Sequence, residues 1–189
     1  MDATNEQDLV RRCRRGASAA FEPLVRGHEA RALAVAEAML GDADDAADTV
    51  QEAFVRAYRG LRSLREGSDF GPWFRTIVRN LCRDRLRGPG RRRADWSVET
   101  MDHNVWTEPA GAEALEREQL AAAVRAALAT LPGDHREILV LKEMEEMRYA
   151  EIAQALDIPP GTVASRLHHA RAALRKALAA RGITREEGR

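Results

Sequence analysis

The sequence predicts an all-α chain of two small helical domains joined by a flexible linker, on three observations. Ala, Leu and Arg dominate the 189 residues while aromatic residues make up only 5%, a mix that favours helix. No β-branched run alternates long enough to suggest a strand. Two blocks of helical apolar period flank "GPGRRRADWSVETMDHNVWTEPAG", residues 88–111, which holds three glycines, two prolines and no such period. That stretch reads as a linker. The division is 1–87, first domain; 88–112, linker; 113–182, second domain; 183–189, C-terminal tail.

The first block predicts four helices. "EQDLVRRCRR" stops at Gly16, and Ser18 is placed to cap a long helix reaching Met39. After Gly41, the carboxylates of "DADD" cap a helix from about Ala46 to Leu61. Ala47, Val50, Phe54, Ala57 and Leu61 give it one buried face. Asp48, Glu52, Val55 and Arg59 lie opposite, with Gln51 at the margin. The loop "RSLREGSDFG" leads into "PWFRTIVRNLCRDRLR", where Phe74, Ile77, Val78 and Leu81 form the core stripe. Thr76, Arg79, Asn80, Arg83 and Arg87 share the other side. From Gly71 to Ala94 there are eight arginines and one acid, a local positive field that the zero net charge hides.

In the second block, "LEREQLAAAVRAALATL" halts at Pro132-Gly133, and Asp134 is placed to cap "DHREILVLKEM". "RYAEIAQALDIPPGTVASRLHHARAALRKAL" then fits a helix-turn-helix. Ile152, Ala153 and Leu156 are the inner face of its first helix; Ile158 plugs the turn, and Pro159-Pro160-Gly161 stops the helix continuing. At about 100° per residue, Val163, Leu167, Ala170, Leu174 and Leu178 point inward. Ser165, His168, His169, Ala172 and Lys176 point outward, flanked by Arg166 and by Ala164 and Arg171. From Ile158 to Thr184 there are five basic residues and no acid. A merely solvated bundle helix usually mixes signs, so the one-sided charge favours a DNA-facing role.

Other chemistry is thinly represented. Cys13 and Cys82 are far apart and in no C-x-x-C pair, which argues for two reduced thiols rather than a zinc site or disulfide. His168 and His169 diverge by about 100° on a helix and have no third ligand nearby, so no metal is expected. "DADDAADTVQEA" lacks the glycine and final glutamate of a calcium loop. No nucleophile–base pair or Gly-rich phosphate loop appears, so neither catalysis nor a cofactor is expected. "MDATNEQDLV" is no signal peptide and no apolar run spans a bilayer, pointing to a cytoplasmic protein without membrane insertion.

The two blocks together resemble bacterial sigma factors of the σ70 family, in the small extracytoplasmic-function group. "GDADDAADTVQEAFVRAYRGL" is similar to that group's region 2.2, and "FGPWFRTIVRNLCRDRLR" to regions 2.3 and 2.4. "LATLPGDHREILVLKEMEEMRYAEIAQALDIPPGTVASRLHHARAALRKAL" is similar to region 4. The resemblance implies a promoter-specificity subunit whose partners are core RNA polymerase (β′ clamp helices and β flap), promoter DNA and an anti-sigma factor. Asp48, Gln51, Glu52 and Val55 would bind the clamp helices. Arg62, Arg65, Ser68 and Asp69 of the loop, with Thr76, Arg79, Asn80 and Arg83, would handle the melted −10 strand. Tyr58, Phe70 and Trp73 are candidate stackers there, although Phe70 and Trp73 suit the core better. Thr162, Ser165, Arg166, His168, His169, Arg171 and Arg175 would meet the −35 duplex.

The chain departs from the group's pattern at three positions. Ala164 stands where Lys or Arg is usual, His169 where Arg is common, and Asp157 at a turn position often held by Gly. These changes bear on which −35 bases are read, not on the fold. The competing functions are a stand-alone helix-turn-helix repressor or activator, and a protein that sequesters another regulator without touching DNA. A repressor does not need the carboxylate-bearing helix face around Asp48, and a sequestering protein would tolerate Arg166→Ala.

Overall fold

The computed structural model describes residues 3–87 and 112–183, and the chain divides into two compact units, 1–91 and 92–189. All regular structure among the described residues is helical. Most of the expected linker, with Arg91–Arg93, and most of the tail fall outside the described residues, as does the side chain of Arg87.

The first unit is built from α1 (Ala3–Arg14), α2 (Glu22–Leu40), α3 (Ala43–Gly60) and α4 (Phe70–Arg87). A 3-10 turn, Ser18–Phe21, precedes α2, so Ser18 is not its cap. The reason is Pro23: a helix begun at Ser18 would put the proline ring against the Ala19 carbonyl, whereas the first turn of α2 accommodates it. Gly41 ends α2 at φ 74°, a left-handed conformation that favours glycine. Asp42 then caps α3, its carboxylate accepting from the Asp45 N–H at 2.8 Å.

Val50, Phe54, Ala57 and Leu61 are buried as their spacing predicts, but Ala47 is exposed and Ala46 and Ala53 fill the interface instead. On α4, Phe74, Val78 and Leu81 are buried and Ile77 only half so. Phe74 stacks on Phe54 at 4.3 Å and on Phe70 at 5.5 Å, and Phe21 meets Phe70 edge-on at 6.2 Å. With His28 of α2 lying 5.3 Å from Phe70, this aromatic cluster locks α2, α3 and α4 together. Arg85 reaches back to Asp45 at 3.1 Å, tying the far end of α4 to the start of α3.

The second unit comprises α5 (Ala112–Ala129), α6 (Gly133–Leu139), α7 (Tyr149–Leu156) and α8 (Pro160–Ala179). Pro132, not Asp134, occupies the cap position of α6; the Asp134 carboxylate accepts from the next residue's N–H at 3.0 Å. With Pro132 extended at φ −52°, ψ 144°, the helix has already begun at Gly133. The chain from Val140 to Met144 continues as a π-helical turn, wider than the α-helix the apolar period predicts. Ile138, Leu141, Ile152, Val163, Leu167 and Ala170 form the core, and Leu174 and Leu178 are half-buried at its edge.

Asp157 ends α7 in the left-handed conformation, φ 53° and ψ 50°, which Asp tolerates better than most residues. The Ile158 N–H then donates to the Ala153 carbonyl at 3.0 Å, closing the turn. Pro160 is thus the start of α8 rather than the stop of α7. The result is two helices joined at a fixed turn, with α8 lying on α6 and α7 through its apolar side.

Candidate polymerase and nucleic-acid interfaces

On α3 the apolar stripe faces inward, so Asp48, Gln51 and Val55 are exposed and Glu52 is half-buried, paired with Arg56 at 2.6 Å. Val55 is 45% exposed, an apolar spot between charges.

The adjoining loop is held from beneath by α1. Arg14 donates through Nε to the Leu61 carbonyl at 2.9 Å and through Nη2 to the Leu64 carbonyl. Gln7 donates to the Gly67 carbonyl at 3.3 Å. Leu64 is buried, while Arg62, Arg65 and Asp69 project outward and Ser68 is half-buried. At the next helix Thr76 and Asn80 are exposed, and Arg79 and Arg83 half-buried, on the side of α4 away from Phe74 and Val78. The Thr76 hydroxyl donates to the Pro72 carbonyl at 3.1 Å and accepts from Arg79 Nη2 at 3.1 Å. Of the three aromatic candidates, Phe70 is fully buried, Trp73 half-buried beside Gly60, and Tyr58 44% exposed.

A buried polar constellation that sequence reasoning missed sits under this surface. Glu6 of α1, 7% exposed, places Oε1 2.5 Å from His28 Nε2 of α2 and receives the Gly71 N–H on Oε2 at 3.4 Å. It joins three elements at the start of α4. Sequence separations of 22 and 65 leave no periodic signal by which it could have been found.

In the second unit, burial of Val163, Leu167 and Ala170 turns Ser165, His168, His169 and Arg175 to solvent, with Thr162 and Arg166 half-buried. The Ser165 hydroxyl donates to the Thr162 carbonyl at 3.1 Å. The imidazoles of His168 and His169 are 5.6 Å apart and nearly perpendicular. Arg171, also exposed, is held by Glu143 of the π turn through two hydrogen bonds of 3.1 and 2.6 Å. The exposed face of α8 otherwise carries cations and small polar groups of a kind suited to phosphate and base edges.

Residues 24–92 match the family described as Sigma-70 region 2, and residues 121–174 match Sigma-70, region 4. The chain is 36% identical to the RNA polymerase sigma-H factor of Pseudomonas aeruginosa, over 93% of this chain and 95% of that protein. It is 31% identical to the ECF RNA polymerase sigma-E factor of Escherichia coli, over 89% of this chain and 92% of that protein. Among solved structures it is similar to the sigma factor RpoE bound to the anti-sigma factor NepR from Bartonella quintana. That likeness has a TM-score of 0.62 at 27% identity, covering 84% of this chain and 96% of the other.

Proposed function

The chain belongs to the σ70 family of RNA polymerase sigma factors, in its extracytoplasmic-function group, and from that premise we propose how its surfaces share the work. As a sigma factor it binds core RNA polymerase and directs promoter-specific transcription initiation. In our reading Asp48, Gln51, Glu52 and Val55 dock on the β′ clamp helices, with Val55 as the side chain desolvated in the contact. The α1-anchored loop, with Arg62, Arg65, Ser68 and Asp69, captures an unpaired base of the −10 element. Thr76, Arg79, Asn80 and Arg83 hold the same strand by its backbone.

The second unit reads the −35 duplex by inserting α8 into the major groove. Ser165, Arg166, His168 and His169 face base edges, and Thr162, Arg171 and Arg175 the phosphates. This unit also meets the β flap. The chain works in the cytoplasm and supplies no catalysis of its own. The Bartonella quintana neighbour was solved in complex with an anti-sigma factor, and a protein of that class is the further partner this reading assigns to the chain.

One observation carries the reading: a helix-turn-helix with an acid-free outer face shares a chain with a carboxylate-bearing face carrying an exposed Val55. A stand-alone DNA regulator has no use for the second. Reconstitution tests it. Purified chain added to core polymerase starts transcripts at a defined promoter, and Val55→Asp abolishes the stimulation while leaving the fold intact. Tight, specific binding of a duplex by the chain alone, with no effect of core polymerase, supports the stand-alone regulator instead.

A further inference from the structure

A cavity of about 430 Å³ opens where the end of α1 meets the end of α3 and the 3-10 turn that follows it. Cys13, Arg14, Arg15, Tyr58, Arg59 and Arg62 line it, and no acidic residue does. Its volume lies within the roughly 300–1,000 Å³ of small-ligand clefts, and it is half open to solvent.

Each wall has a distinct role. Arg14 is committed to the carbonyls of Leu61 and Leu64, so it is the strut that keeps the cavity's two sides in register. Arg15, Arg59 and Arg62 are exposed, and no carboxylate among the described residues pairs with them. Three cations around one concavity raise the local potential, and ends of α1 and α3 that carry carbonyl charge do not cancel it. Tyr58 adds an aromatic face: the ring is 44% exposed and is braced edge-on by Phe21 at 5.1 Å. An exposed, braced aromatic beside unpaired arginines is the chemistry that holds one nucleotide of a single strand, base on ring and phosphate on guanidinium.

We propose that this cavity is a second single-strand subsite, taking one nucleotide of the unpaired promoter strand adjacent to those held by the loop and α4. The proposal rests on the −10 reading above. Arg62 links the two, since it belongs both to the loop segment and to the cavity wall. The same base-plus-phosphate chemistry also exists in a free nucleotide. Arg62, shared by the cavity wall and the loop segment, favours the strand.

The test uses holoenzyme assembled from the full chain and core polymerase, bound to a promoter fragment with a preformed −10 bubble. Tyr58→Ala is expected to weaken binding about five- to 150-fold, the range for a lost stacked base, and Arg15→Ala to weaken it measurably and reduce its salt dependence. Tyr58→Phe retains wild-type binding. On a fully duplex fragment bearing the −35 element alone, none of the three differs from wild type. Asn80→Ala, outside the cavity, separates the hypotheses. If it weakens bubble binding while Arg15→Ala and Tyr58→Ala do not, the cavity proposal is wrong and the −10 reading stands. If none of them weakens it, both fail. Saturable binding of free ATP by the chain without DNA, lost in Tyr58→Ala, overturns the strand in favour of a small-molecule site.

Discussion

Arg171 of α8 and Glu143 of the π turn are joined by two hydrogen bonds, the shorter 2.6 Å, across 28 residues of chain. The pair fixes an exposed cation of α8 to the body of its own unit. Glu143 holds the Arg171 guanidinium more firmly protonated than usual, chiefly through that hydrogen bond. Both side chains are about half exposed, so the pair adds little to stability. Its consequence is competition, because a phosphate approaching Arg171 must displace the carboxylate or share the cation.

Glu143→Gln therefore strengthens binding to a −35 duplex by holoenzyme, by up to about fivefold at low salt, as expected for losing an exposed ion pair worth roughly 0.2–1 kcal/mol. Fluorescence anisotropy across a salt series measures it. Unchanged affinity would place Arg171 away from the DNA.

Gly71 is where α4 begins against α2, and a Cβ there would stand 3.0 Å from His28 Cε1. Gly71→Ala is expected to cost about 1–3 kcal/mol by overpacking and to lower the melting temperature of the first unit. His28→Ala removes the obstacle but takes the partner from Glu6 Oε1, and leaving a buried polar atom unpartnered costs about 1–3 kcal/mol. The double variant is predicted to lose less than the sum of the two, because they share one contact. Strict additivity in thermal unfolding would refute the contact.

Glu151 accepts from the Arg148 N–H at 2.8 Å and from its guanidinium at 2.7 Å, which together hold its pKa below the ordinary value of 4.5. A depressed acid stabilises above its unfolded pKa and loses that contribution as pH falls through the folded one. The protection factors of the amides at the start of α7, observed exchange divided into the intrinsic rate at the same pH, should accordingly hold at neutral pH and fall only below about pH 4.5. In Glu151→Gln those protection factors are low at every pH. Protection factors that do not change with pH in the wild type would contradict the cap.

His169 and Arg175 are both exposed on α8, yet they should behave differently. His169→Ala is expected to change which −35 bases are preferred, and Arg175→Ala to weaken all sequences evenly and flatten the salt dependence. Selection from a randomised −35 library separates these effects. Identical preferences for wild type and His169→Ala would remove His169 from the base-reading set.

The features legible in the sequence are those whose cause is local. Val163, Leu167 and Ala170 recur at helical spacing and are buried, and Asp157 takes the left-handed turn that its side chain tolerates. Asp42 stands directly ahead of its helix and caps it. Errors arise where two local rules compete. Ser18 and Asp134 are good cap residues, but Pro23 and Pro132 decide where those helices start. Ala46 and Ala47 are chemically identical, so only packing could tell which is buried. The Glu6–His28–Gly71 cluster and the Arg14 strut are long-range and non-periodic, and only the assembled fold brings them together.

The most direct test of the central claim is to map transcript start sites when the chain is overproduced, and again in vitro with purified core polymerase. A single −35/−10 pair is predicted upstream of the induced starts, with Val55→Asp removing all of them and Arg166→Ala removing them selectively where the −35 element is needed. A chain that neither binds core polymerase nor gives it promoter selectivity would contradict the account.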